Sequence, residues 1–393
     1  MSLVINETDL YFEKAVQLAQ EFAKDAVERD KAGGTPIRQL NMLRESGLLN
    51  LLIPKQYGGE GQPWSAVLRI VREFAKVDAS LAHLYGYHFI AAGSPHWHGS
   101  PKQKEYYYTE SAKNNWFWGN SVNAMSRSLF GKRDGDRYIL NGKRPFSSGA
   151  PGSDYLIISW EDDQTFELIY GAIPTNRQGV TVHEDWDGIG QKQTGSGTVS
   201  FEDVIVEKEE ILDTNYHKHT AFSTISPSFS QSVLLNVFIG SALGAIEEAS
   251  KYTTTTSRAW ITSGVEKASE DPSILRQYGE FWVEVQGAVS LADRAWVQLD
   301  RAWEKEFDLT EEERGETAVL VAAANVLAGK VALDVTSRIF DVMGARSATT
   351  KYGFDRFWRN VRTHTLHNPA EYKLRNVGRW VLTKEYPTPG YYS

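Results

Sequence analysis

Residues 137–143 read Arg-Tyr-Ile-Leu-Asn-Gly-Lys. Aromatic and β-branched residues favour an extended chain. The closing Asn-Gly supplies the positive-φ positions that a tight hairpin needs. The stretch therefore predicts a strand that ends in a hairpin turn at Asn141-Gly142. Asp154–Trp160 (DYLIISW) and Thr198–Phe201 (TVSF) predict further strands. From Trp116 to about Leu212 the chain reads as short strands separated by turns, a compact β domain.

Helix lies on both sides of it. Phe12, Ala15, Val16, Ala19, Ala23, Ala26 and Val27 fall at helical spacing, as do Val67, Ile70, Val71 and Phe74. Between these runs, Pro54 to Gly61 is a loop by its proline and glycine content. On the carboxyl side Val233–Tyr252 is apolar on most faces, which suits a helix inside a bundle. Asp271-Pro272 predicts a helix start, with Asp as N-cap and Pro at the first helical position. Thr310-Glu311-Glu312-Glu313 is a capping box opening a helix that runs towards Met343. The fold class is α+β, with expected domains at 1–113, 114–216 and 217–393.

Composition narrows function by exclusion. The chain has 393 residues, 41 % of them hydrophobic, and a net charge of −8. That charge gives no electrostatic case for nucleic acid or an anionic membrane. Cys is absent, so there is no disulfide, thiolate metal site or cysteine nucleophile. The apolar stretch Val233–Ile246, interrupted by Asn236 and Ser241, is too short to span a bilayer. The first seven residues show no export signal, and the cytoplasm is the expected location. His364 and His367 are three apart, but no further ligand set supports a metal.

Leu43–Gly59, LRESGLLNLLIPKQYGG, resembles the amino-terminal signature of acyl-CoA dehydrogenases. Asn141–Ala150, NGKRPFSSGA, is similar to that family's strand and turn against the flavin ring. Gly188–Ser196 followed by Phe201–Val204 resembles another family stretch, as does Tyr252–Trp260. The resemblance covers the whole chain. It implies an N-terminal helical domain, a middle β-barrel domain and a C-terminal four-helix bundle. HLYGYH (83–88), NNWFWGN (114–120), YGFDRFWRNVRTHTLHNP (352–369) and the tail YPTPG (386–390) are similar to the dibenzothiophene monooxygenase group within that superfamily. That group uses reduced FMN from a separate NAD(P)H-dependent reductase and O2 to oxygenate sulfur or nitrogen compounds, and its members are typically homotetramers.

A dehydrogenase of this family needs a carboxylate base over the flavin. The late segment Arg356–Ala370 contains no Asp or Glu, and Thr365 stands near the expected position. No acid occurs between Asp213 and Glu247 either. An oxygenase instead needs hydrogen bonds to the oxygens of a flavin C4a-hydroperoxide and shelter from water. The resemblance points to His88 and His367 for this, with Ser148 beside them, while His83, His96, His98 and His364 read as structural. It also implies that Phe146, Ser147, Ser148 and Trp186 pack on or bond the flavin ring, and that Asn120 and Ser121 contact its pyrimidine edge. Arg258 and Arg346 are candidates for the phosphate, Arg258 reaching a neighbouring subunit. The altered Gly344-Ala345-Arg346 segment favours FMN over FAD. Two alternatives stay open: an acyl-CoA dehydrogenase with a relocated base, and a non-catalytic flavin-binding scaffold.

Overall fold

The computed structural model describes residues 7–123, 125–212 and 219–391. The expected boundary at 216/217 lies outside the described residues, as do the first six residues used to read the amino terminus. The amino-terminal part is helical: α1 (Glu7–Ala23), α2 (Ala26–Ala32), α3 (Ile37–Ser46), α4 (Trp64–Ala75), α5 (Ala79–Ala92), α6 (Ser94–His98) and α7 (Pro101–Asn114). Strands follow: β1 (Trp118–Ser121), β2 (Leu129–Asp134), β3 (Arg137–Arg144), β4 (Tyr155–Asp162), β5 (Leu168–Pro174), β6 (Val180–Val182) and β7 (Val199–Val206). Helices α8 (Ser226–Thr255), α9 (Pro272–Lys305), α10 (Glu311–Met343), α11 (Asp355–Thr365) and α12 (Ala370–Thr383) complete the chain.

The helical periodicity over 12–27 is real but divided. The chain breaks at Lys24-Asp25, where the Asp25 carboxylate accepts from Arg29 at 2.8 Å and from Gln39 at 3.3 Å. The caps read from sequence are formed: Asp271 accepts from the Ser273 amide at 2.8 Å, and Thr310 with Glu313 makes a reciprocal capping box. Helix α8 is long and apolar enough to cross a membrane, yet 83 % of its most apolar window is buried in the protein. It packs against α4, α5, α9 and α10. Arg72 of α4 fastens this contact, donating to Asn236 of α8 at 3.0 Å and lying 4.1 Å over the Trp296 ring of α9.

The strands form one curled sheet in the order β1-β4-β2-β3-β7-β6, with β5 on β4. Its inner face is the buried cluster of Leu129, Tyr138, Leu140, Ile158, Trp160, Phe201 and Val204. The hairpin expected at Asn141-Gly142 is not there. β2 and β3 turn instead at Gly135-Asp136, where Asp134 pairs with Arg137 and Gly135 has φ 67. Asn141-Gly142 faces a bulge in β7: the register passes from Leu140↔Val204 to Gly142↔Phe201, leaving Glu202 and Asp203 opposite Asn141, with Asp203 at φ 50 and Gly142 at φ 134. The Asn141 side chain fixes it, accepting from the Asp203 amide and donating to the Asp203 carboxylate, both at 3.0 Å. A bulge bends the strand that carries it, here β7.

Candidate functional site

Beyond β3 the chain turns sharply at Phe146–Gly149. Phe146 is held at φ 59, a conformation few side chains adopt. Two bonds enforce it, Ser148 N–H to the Phe146 carbonyl at 3.1 Å and Ser147 N–H to the Gly197 carbonyl at 3.0 Å. The result is a phenylalanine 61 % exposed, its ring centroid 6.1 Å from that of Trp186 in an edge-to-face contact. Beside it the Ser148 hydroxyl meets Ser196 at 2.7 Å, and Ser196 meets Thr194 at 2.7 Å. Asn120 of β1 donates from Nδ2 to the Ser148 carbonyl at 3.3 Å. The hydroxyls of Ser121 and Ser147 do not face the open side of the turn. Both are fully buried, their hydroxyls bonded to each other at 2.9 Å, so these side chains brace the turn from within.

The loop 186–196 joins this turn to the helices. Trp186 donates to the Gln191 carbonyl at 2.8 Å. Gln191, buried at φ 54, takes its amide to Asn360 Oδ1 of α11 at 2.6 Å. Gln193 accepts from Arg29 of α2 at 2.7 Å, and its amide reaches Ser80 of α5 at 3.4 Å. Arg29 is in turn paired with Asp78, the N-cap of α5. The serine-rich turn is thereby fixed relative to α5 and α11.

Those two helices carry a histidine cluster. His83 of α5 stacks on Tyr87 at 4.1 Å and lies 4.4 Å from His364 of α11. His83 is 3 % exposed and both its ring nitrogens lack a hydrogen-bond partner; Nδ1 of buried His364 is likewise unpartnered. An unpaired buried polar atom is costly, and three of them lie in this one cluster. His367 follows one turn later, its ring crowded by protein yet reached by solvent. Burial lowers the pKa of His83 to about 3, with His367 adding to the shift, and that of His367 to about 4. His364 is pushed well down by burial, then by His83 and His367. All three are neutral imidazoles near pH 7, able to donate at one nitrogen and accept at the other. Among the described residues, no carboxylate is one of the groups acting on them.

His88 is not part of this cluster. Its Nδ1 accepts from the Trp118 amide at 3.1 Å and its Nε2 donates to the Leu49 carbonyl at 2.9 Å. Both nitrogens are spent on tying α5 to β1 and to the loop after α3, and burial lowers its pKa to about 4. His83 and His364, read from sequence as structural, instead lie together between α5 and α11. The signal was present as paired spacing, His83 with Tyr87 at i, i+4 and His364 with His367 at i, i+3. His96 and His98 keep structural roles, His96 bonded to Tyr108 at 3.1 Å and His98 stacked on Tyr170.

Arg258 and Arg346 come together elsewhere. Arg346 donates to the Thr256 carbonyl at 3.0 Å, beside a polar recess of about 420 Å³ that includes Arg258 and the exposed Trp260. Thr365, next to His364, packs on Gly329, which touches Phe238 of α8. From Phe238 to the end of α8 is about 25 Å of helix at 1.5 Å per residue. The two arginines therefore stand far from the histidines of their own chain.

Three family models cover the chain: the acyl-CoA dehydrogenase N-terminal domain over 6–115, the middle domain over 118–204 and the C-terminal domain over 233–371. The chain belongs to the acyl-CoA dehydrogenase family. Within that family it stands with the monooxygenases. The dibenzothiophene monooxygenase of Rhodococcus erythropolis is 42 % identical over 96 % of this chain and 94 % of its own length. The methanesulfinate monooxygenase MsuC of Pseudomonas fluorescens superposes with a TM-score of 0.95 at 44 % identity, over 97 % of this chain and 99 % of the other. FMN-bound TdsC of Paenibacillus sp. A11-2 gives 0.93 at 37 % identity, over 98 % and 100 %.

Proposed function

We propose that this protein is a reduced-FMN-dependent monooxygenase that inserts one oxygen atom of O2 into a small organosulfur or nitrogen-containing substrate. The observation that carries the reading is the cluster of neutral His83, His364 and His367, with buried unpaired nitrogens on His83 and His364 and, among the described residues, no carboxylate acting on it. A dehydrogenase base has no counterpart there. The monooxygenase relatives and the FMN-bound neighbour support the same conclusion.

The residues present fit FMN. Phe146 and Trp186 offer exposed aromatic surface to a flat ring, and Ser148, Ser196 and Asn120 offer hydroxyls and an amide at its edge. Bound in reduced form, FMN supplies the two electrons that divide O2 between substrate and water. The protein's own part is to orient the reactants, exclude water and hold protons at the imidazole nitrogens. Arg258 and Arg346 serve the phosphate of an FMN in a neighbouring subunit, which makes the working form an oligomer, by family expectation a homotetramer. A separate NAD(P)H-dependent flavin reductase in the cytoplasm provides the reduced flavin.

With such a reductase, NADH and FMN, the protein is expected to convert a sulfide, sulfone or sulfinate to a product carrying one atom of labelled O2. Reduction of an artificial electron acceptor by an acyl-CoA, without reductase, would overturn the proposal. The loop that positions Trp186 gives a second expectation. A Cβ at Gly190 would lie 2.2 Å from the Arg359 carbonyl of α11. Overpacking of this kind costs about 1–3 kcal/mol, so Gly190→Ala is expected to weaken FMN binding about tenfold or more. Titration of the variant by flavin fluorescence checks this; an unchanged Kd would mean that the loop's seat does not shape the flavin site.

A further inference from the structure

Five rings from α7, β1, β4 and the segment joining α7 to β1 form one continuous ladder. Trp118 and Tyr155 are paired residues of neighbouring strands, their ring centroids 5.3 Å apart. Trp116 stacks on Tyr155 at 4.1 Å, Tyr107 meets the Trp118 ring at 5.5 Å, and Tyr106 meets Tyr107 at 5.1 Å. Tryptophan and tyrosine are the rings that most readily give up one electron. The sulfur side chains that compete with them for oxidation are few, with no Cys and four Met. The ladder has an inner and an outer end. Trp118 is buried two residues before Asn120, so the two side chains share one face of β1, about 7 Å apart along the strand. Asn120 in turn bonds the Ser148 carbonyl of the flavin turn. At the other end Tyr106 is 52 % exposed. Burial raises the pKa of the Tyr107 and Tyr155 phenols, so each keeps its proton until it is oxidised. The Tyr155 hydroxyl interacts with that of Tyr106, whose own side chain meets water.

We propose that this ladder carries single oxidising equivalents from the flavin pocket to Tyr106 at the surface, away from the histidines and the substrate. The inference rests on the FMN reading above. The oxidant is oxidised FMN excited by light, which accepts one electron from a nearby ring. Trp118 gives that electron and recovers one from Tyr155 or Tyr107. Tyr106 refills the gap, releases its phenolic proton to water and is left as a neutral radical. The electron gained by the flavin leaves to O2 as superoxide. A soluble thiol returns one electron and one proton to Tyr106, so the ladder ends as it began. The O–H of Tyr106 breaks and re-forms, and no bond to carbon changes.

The test illuminates the protein, loaded with oxidised FMN, with blue light and follows radicals by transient absorption and electron paramagnetic resonance. Yields are counted per bound FMN, so a change in flavin affinity does not enter. Wild-type protein is expected to give a tyrosyl radical, and Trp118→Phe should remove most of it. Tyr106→Phe, a change at the exposed end, should strand the oxidation inside. Peptide mapping by mass spectrometry after long illumination should then find oxidised Trp116, Trp118 or Tyr155 that the wild type lacks. No tyrosyl radical in the wild type, or an equal yield in Trp118→Phe, would overturn the inference. So would an unchanged pattern of oxidised residues in Tyr106→Phe. Failure of the wild-type protein to bind FMN at all removes the flavin reading itself.

Discussion

His83→Phe is expected to lower kcat by about 10²–10⁴, the range for a lost proton-handling group, while leaving thermal stability unchanged or slightly raised. Phenylalanine keeps the ring volume and the stacking on Tyr87 and His364. It removes two nitrogens that bond nothing within the chain, so the folded state loses no hydrogen bond. His88→Phe should do the reverse. It strands the Trp118 amide and the Leu49 carbonyl, both now bonded to His88, at about 1–3 kcal/mol for each buried unpaired group. Turnover per folded molecule should stay near normal. Turnover and denaturation midpoints of both variants decide the matter. A slow, stable His88 variant beside an active, unstable His83 variant would return the chemistry to His88.

The two histidines show where the sequence stops being readable. They are five residues apart on α5, about 140° around a helix that turns 100° per residue. Such a difference normally identifies the functional face. Here it does not, because nearly every residue of Ala79–Ala92 is buried and no polar side marks which face meets which neighbour. His364 on α11 and His367 just beyond its end were legible as a pair, but their partner required knowing that α5 lies opposite. The same limit applies to Asn141-Gly142. The dipeptide does mark an irregular site, yet a hairpin turn and a position facing a bulge both accept a positive-φ glycine, and only the pairing with β7 separates them. Local signals survived well: the caps at Asp271 and Thr310, and the amphipathic α4, depend on neighbours within a few residues. Ser121 and Ser147 were found, but their burial was not, since a serine gives no hint of which side of a turn it takes. The missing carboxylates needed no fold at all.

Stability should fall steeply between pH 6.5 and 4.5, before the carboxylates contribute. His83, His88 and His364 are buried and all have lowered pKa values, to about 3 for His83 and about 4 for His88. In the unfolded chain each titrates near 6.5. Below that pH the unfolded state binds protons that the folded state refuses, so stability is full above 6.5 and is lost as pH falls towards the folded values. Each such group contributes up to about 1.4 kcal/mol per pH unit. His83 and His88 alone would then remove about 5 kcal/mol between pH 6.5 and 4.5, which is comparable to the whole stability of many domains. Glu306, held down to about 2 by His96 and Lys104, is lost only below its ordinary value near 4.5, so it lies outside this window. Denaturant midpoints of the flavin-free protein at pH 7, 6 and 5 should drop progressively, and His83→Phe should flatten the slope by close to one proton. A midpoint independent of pH across this range would mean that the histidines take up protons in the folded state, and the neutral cluster on which the oxygenase chemistry depends would not exist.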